Sequence, residues 1–110
     1  MPFMSLTTKL ERLSQGFSQL GGHVYHHHRP DLEFPCIVWA EESGNEFGAD
    51  CDVAEQGLHG TLDYFTPNDI DPMIDQIQSQ FRAMSLGWRL ESIQYEEDTG
   101  LAHWEWSWEV

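Results

Sequence analysis

Basic residues are what this sequence has least of. Five Lys and Arg stand against 19 Asp and Glu, a formal net charge of −14 with His neutral. Affinity for nucleic acid comes largely from cations that neutralise phosphates, so the composition argues against tight DNA binding. A chain this acidic can stay soluble, mimic DNA, or line a passage to which DNA must not stick. Cysteine is also scarce: Cys36 and Cys51 sit in or beside apolar strands, a usage that fits reduced core residues better than a bridge or a zinc pair. No apolar run approaches the roughly 18 residues of a membrane span. The opening MPFMSLTTKLERL lacks the charged start, apolar middle and small-residue end of a signal peptide. A soluble, cytoplasmic chain with no membrane association is expected. Missing too are G-x-S-x-G, the Walker loop, G-x-G-x-x-G, C-x₂-C and H-E-x-x-H. The acidic GADCDVAE around Cys51 would raise a thiol pKa and oppose nucleophilic use. No enzyme and no cofactor are expected.

What is present is a strong strand signal at the end of the chain. In LAHWEWSWEV the residues Ala102, Trp104, Trp106, Trp108 and Val110 fall on every second position, with Leu101, His103, Glu105, Ser107 and Glu109 between them. Such alternation puts the tryptophans on one face of an extended strand, whereas a helix would scatter them. At about 150–250 Å² per aromatic and about 25 cal/mol per Å², burying three contributes on the order of 11–19 kcal/mol gross. A domain keeps only about 5–15 kcal/mol net, so this face must be covered by a core or by another subunit. The Glu105 and Glu109 face should be wet or line a cavity.

Helical periodicity supplies the cover. Leu6, Leu10, Leu13, Phe17 and Leu20 recur at steps of three and four, predicting a helix over 5–20 capped by Ser5 or Thr7 and stopped by Gly21 and Gly22. Ile70, Met73, Ile74, Ile77, Phe81 and Met84 form a second stripe. Thr66 or Asp69 is its expected N-cap, Pro67 or Pro72 suits its first turn, and Gly87 ends it. The expected core is Trp104, Trp106, Trp108, Ile74, Ile77, Phe81, Leu10, Leu13 and Phe17. Between the helices, HVYHHH, CIVWA opened by Pro35, and GLHGTLDYF read as strands. SGNEFGADCDVAEQ, over 43–56, reads as a long excursion or arm. After Gly87, Trp88 and Leu90 share one parity and Ile93 and Tyr95 the other, which predicts a bulge or a strand buried on both faces. EEDTG then turns the chain into the last strand. With 110 residues in one domain spanning 1–110, the order is α-β-β-β-α-β-β. That is an α+β fold, a mainly antiparallel sheet of hairpin-linked strands with both helices on one face.

The histidines raise a metal reading. His26 and His28 share one face of an extended strand, so they are weak candidate ligands, with His59 or His103 a conceivable third across the sheet. No acid lies nearby in sequence to orient them. A solvated histidine run is the stronger reading, and no metal is expected.

Taken whole, the chain resembles the small tail-terminator, or head–tail joining (tail completion), proteins of long-tailed bacteriophages and prophages. The resemblance is carried by the first helix ending at GG, then HVYHH, FPCIVWAEESGNEFGADCDV, GLHGTLDYFT, PNDIDPMIDQIQSQFRAM and WRLESIQYEEDTGLAHWEWSWEV. It covers nearly the full length and rests on order and pattern, not on catalytic residues. It implies a structural virion protein, assembled in the host cytoplasm as a homo-oligomeric ring, commonly of six subunits. Such a ring ends the tail tube and joins it to the head connector, and its partners would be the tail-tube and head-connector proteins. DNA would pass through without being tightly held. On that reading Phe47, Ala49, Asp50 and Val53 are candidate subunit contacts, and Glu105 and Glu109 candidate lumen residues. The alternatives are a small metal- or ligand-binding module using the histidine cluster, and an acidic inhibitor that mimics DNA.

Overall fold

The computed structural model describes residues 5–28, 33–42 and 57–110. Helix α1 spans Leu6–Ser18, and its N-cap is Ser5, whose Oγ accepts the Thr8 N–H at 3.1 Å. Leu13 and Phe17 are buried, and Leu10 and Leu20 pack at the core margin. Leu6, expected in the same stripe, is exposed, because it lies at the open first turn. Gly21 and Gly22, both at positive φ, take the chain out of the helix into β1 (His23–His26).

The remaining elements are β2 (Cys36–Glu42), β3 (His59–Thr66), α2 (Met73–Ala83), β4 (Gly87–Glu96) and β5 (Leu101–Glu109). The class is α+β, with a mixed, mostly antiparallel five-stranded sheet in the order β1-β2-β3-β5-β4. Two features depart from a chain of hairpins. β1 and β2 pair in parallel, His23 opposite Cys36 and His26 opposite Trp39. The chain also passes from β3 through α2 to the edge strand β4 and returns as β5 between them. Periodicity says which face a residue joins, not which strand is its neighbour, so neither pairing could be read from alternation alone.

Helix α2 starts later than its apolar pattern suggests. Neither Thr66 nor Asp69 caps it; Asp71 Oδ1 accepts the Met73 N–H at 2.9 Å, with Pro72 between them. Ile70, expected to be buried, therefore precedes the helix and is 90% exposed. At the other end Ser85, not Gly87, takes the left-handed cap at φ 59°, and the Leu86 N–H reaches back to the Phe81 carbonyl at 3.0 Å. Gly87 opens β4 instead.

Both helices cover one sheet face. Register places Ile37 and Trp39, Leu62 and Tyr64, and Trp104, Trp106 and Trp108 on that face. Phe17 of α1 packs 5.2 Å from Trp39 and 6.0 Å from Trp108 between ring centroids, while Phe81 of α2 meets Trp106 edge-on at 6.1 Å. The helices touch through Phe17 and Phe81, and Gln80 Nε2 donates to the Gly16 carbonyl at 2.7 Å. Leu13, Phe17, Ile77, Phe81, Trp106 and Trp108 are buried, with Leu10, Ile74 and Trp104 at the partly buried margin. The indole N–H groups find acceptors, Trp106 on Gln78 Oε1 and Trp108 on the Thr61 carbonyl. Gly60 leaves room for this: a Cβ there would lie 2.5 Å from the Trp108 ring and run into the Ala40 carbonyl.

β4 contains a bulge. Leu90 faces Trp106 and Ser92 faces Glu105, so Glu91 is an extra residue and the parity of β4 changes there. Trp88, Leu90, Ile93 and Tyr95 consequently share the helix side, although they do not alternate throughout in sequence.

Candidate functional site

The second sheet face carries most of the strand carboxylates. By register Glu42, Asp63, Glu96, Glu105 and Glu109 point away from the helices. Glu91 joins them from the bulge, since its Oε2 accepts from Ser107 Oγ at 2.6 Å and Arg89 Nε at 2.9 Å. Arg89 is the strand cation opposing them among the described residues. Cys36 and Val38 of β2 share this face and are buried, so its polar part runs over β3, β5 and β4.

Asp63 and Glu105 face each other directly across β3 and β5. Like charges so placed repel. His103, one pair along on this face, moderates them: its Nε2 lies 2.8 Å from Asp63 Oδ1, and its ring stacks on Phe65 at 4.3 Å. Ser92 Oγ reaches Glu105 Oε1 at 3.5 Å. The hydrogen bond from Ser107, then that from Arg89, holds the Glu91 carboxyl below its ordinary range. Within the wall, Ser92, Ser107, His103 and Arg89 hold Glu105, Glu91 and Asp63 in place.

Of the lumen candidates, Glu105 is half-buried in this wall and Glu109 lies exposed at its end. Phe47, Ala49, Asp50 and Val53, together with the 43–56 arm and Cys51, lie outside the described residues. At the hairpin end of the helix side, Ile93 and Tyr95, expected to be buried unless the strand bulged, are 55% and 67% exposed and form an apolar strip on the edge strand.

The histidine pair differs from expectation. His26 ends β1, and His28 lies beyond it and outside the cluster. His27, at φ 76°, bends the chain so that its ring stacks on His26 at 4.0 Å. An acid does reach the pair: Glu41 Oε1 is 2.6 Å from His26 Nε2, and Glu41 Oε2 is 3.3 Å from His27 Nε2. Parallel pairing explains this, because Glu41 shares the face of Trp39, the residue opposite His26. His59 and His103 sit on the opposite sheet face from His26. Burial draws the Glu41 carboxyl upward, but the His26 hydrogen bond and the neighbouring imidazoles outweigh it, leaving Glu41 below its ordinary range.

No helix among the described residues is long and apolar enough to cross a membrane. Compared with known proteins, the chain matches no family model, and no curated protein matches it.

Proposed function

We propose that this chain is a structural subunit of a long-tailed bacteriophage, of the tail-terminator or head–tail joining kind, acting in a ring that ends the tail tube, meets the head connector and lets DNA pass. The separation of the two sheet faces carries the reading. One face is sealed by helices, and the other presents six carboxylates against Arg89. Facing a lumen, such a wall repels phosphates and offers few cations to hold them. The edges of the sheet support assembly: among the described residues β1 and β4 each have one strand neighbour, and β4 adds the exposed Ile93 and Tyr95. The resemblance of the whole chain to tail-completion proteins supplies the biological setting, a virion component assembled in the host cytoplasm.

A ring of six would hold roughly 84 formal negative charges, six times the fourteen of one chain. Subunit contacts must therefore be apolar enough to overcome repulsion, and association should tighten as salt screens the charge. Size-exclusion chromatography with light scattering, run across salt and with purified tail tubes added, tests this. Self-association that grows with salt, or binding to the tube end, is expected. A strict monomer at high concentration and high salt that also ignores tail tubes would sink the proposal.

A further inference from the structure

We propose that His26, His27 and Glu41 form a binding site for a divalent transition-metal ion of the zinc, nickel or copper class, at the β1–β2 edge of the sheet. This inference stands apart from the ring reading. One nitrogen from each histidine and one Glu41 oxygen lie within 4.8 Å of one another. Donor atoms about 2.0–2.2 Å from a tetrahedral zinc sit about 3.3–3.5 Å apart. His27 Nε2 lies 3.3 Å from Glu41 Oε2 and His26 Nε2 2.6 Å from Glu41 Oε1, so each histidine meets its own oxygen of the carboxylate, and the closer pair has to open by less than an ångström. A metal would take the place of the His26–Glu41 hydrogen bond.

One ring and one backbone are held in advance. The His26 ring lies flat on Trp39, centroids 3.8 Å apart and planes 10° from parallel. The His27 N–H donates to the Trp39 carbonyl at 2.8 Å, which fixes that residue at a left-handed turn beside His26; its ring, stacked on His26, must rotate out of the stack for both in-plane nitrogens to meet one ion. The site is also reachable, since the side chains of His26 and His27 are 40% and 55% exposed. Imidazole selects zinc, copper and nickel over magnesium and calcium. Two imidazoles and one carboxylate leave a position for water or for a side chain of another molecule. The second cluster with suitable donors, Asp63, His103 and Glu105, offers one imidazole and two half-buried carboxylates, a poorer set for these ions. It therefore serves as an internal comparison.

The test is calorimetric titration of the purified, chelator-stripped full chain with zinc and, separately, nickel chloride. One ion per chain is expected. Glu41→Gln keeps the size and hydrogen-bonding shape of the residue but removes the charged ligand, and it should weaken binding at least about tenfold, as should His26→Ala. His28→Ala and Asp63→Asn should leave the affinity unchanged. Copper(II) should quench tryptophan emission in the wild type, and Trp39→Phe should remove most of that quenching, because Trp39 is the indole stacked on His26. Circular dichroism of each variant separates loss of ligand from loss of fold. Absence of stoichiometric binding overturns the proposal. So does binding that survives both Glu41→Gln and His26→Ala in folded protein, or that disappears with Asp63→Asn.

Discussion

Replacing Asp71 by Ala should destabilise this protein more than any other single change at a solvent-accessible carboxylate. Its Oδ2 accepts from Tyr64 Oη and Thr66 Oγ1, both at 2.6 Å, and from Asn68 Nδ2 at 3.2 Å, while Oδ1 accepts the Met73 N–H at the start of α2. Tyr64 and Thr66 are buried, so their hydroxyls have no alternative partner until water enters. Loss of the hydrogen bond to the Met73 N–H costs about 1 kcal/mol. Each buried hydroxyl deprived of a charged partner adds about 1–1.5 kcal/mol, the low end of its range because water can partly fill the space. Asn68, exposed, adds little. The sum is about 3–4 kcal/mol, which at about 4–5 °C per kcal/mol for a domain of this size lowers Tm by about 12–20 °C. Thermal and urea unfolding followed by far-UV circular dichroism at neutral pH measure it. Asn68→Ala is the near-silent control, and a Tyr64→Phe/Asp71→Ala cycle should show the two residues coupled. A loss under about 1 kcal/mol, or additive singles in that cycle, would refute the reasoning.

The same carboxylate makes stability pH-dependent. Burial raises the Asp71 pKa, but the hydrogen bonds from Thr66, Tyr64, the Met73 N–H and Asn68 outweigh it, so the folded value lies below the ordinary 3.8. A depressed folded pKa stabilises above the unfolded value and is lost as acid protonates the folded group, so wild type should weaken from about pH 5 downward. Asp71→Ala should lack that part of the slope in urea unfolding against pH, and an identical slope in both would contradict it. Trp106→Ala, at a fully buried indole, should cost about 3–5 kcal/mol; Trp104→Ala, at the core margin, should cost clearly less, and equal costs would count against the assigned burial. Ile93→Asp with Tyr95→Asp should leave Tm within about 3 °C, as surface changes do, yet reduce self-association in light scattering. Unchanged association would remove the β4 edge from the interface.

Patterns of period two and 3.6 made the elements legible, because burial imposes those periods directly. The step pattern of Leu10, Leu13 and Phe17 and the alternation of Trp104, Trp106 and Trp108 both mark residues at or in one core. What could not be read were features set by partners distant in sequence. The parallel β1–β2 pair brings Glu41 to His26 and His27, and no spacing rule joins these positions. Ile70 continues a helical stripe, yet Pro72 as N-cap and the Asp71–Met73 hydrogen bond begin the helix three residues later, at Met73. Ser85 takes a left-handed cap that residue preference assigns to the nearby glycine. The carboxylate wall was only half visible: Glu105 and Glu109 follow from β5 alone, whereas Asp63 opposite Glu105 requires the β3–β5 register.

The bulge in β4 ties the sealed face to the charged one. Side chains on a strand alternate strictly, so without an extra residue either Trp88 and Leu90 or Ile93 and Tyr95 would have to face the carboxylates. Inserting Glu91 between Leu90 and Ser92 keeps all four apolar residues on the helix side, Trp88 against Phe81 of α2 and Leu90, Ile93 and Tyr95 exposed along the edge. The inserted residue is itself acidic and turns to the other face, where Ser107 and Arg89 hold it. One extra residue thus completes the apolar edge and adds a carboxylate to the wall. The proposed ring would use both features of this strand: an edge able to bury itself against a neighbour, and a surface that stays charged when it does.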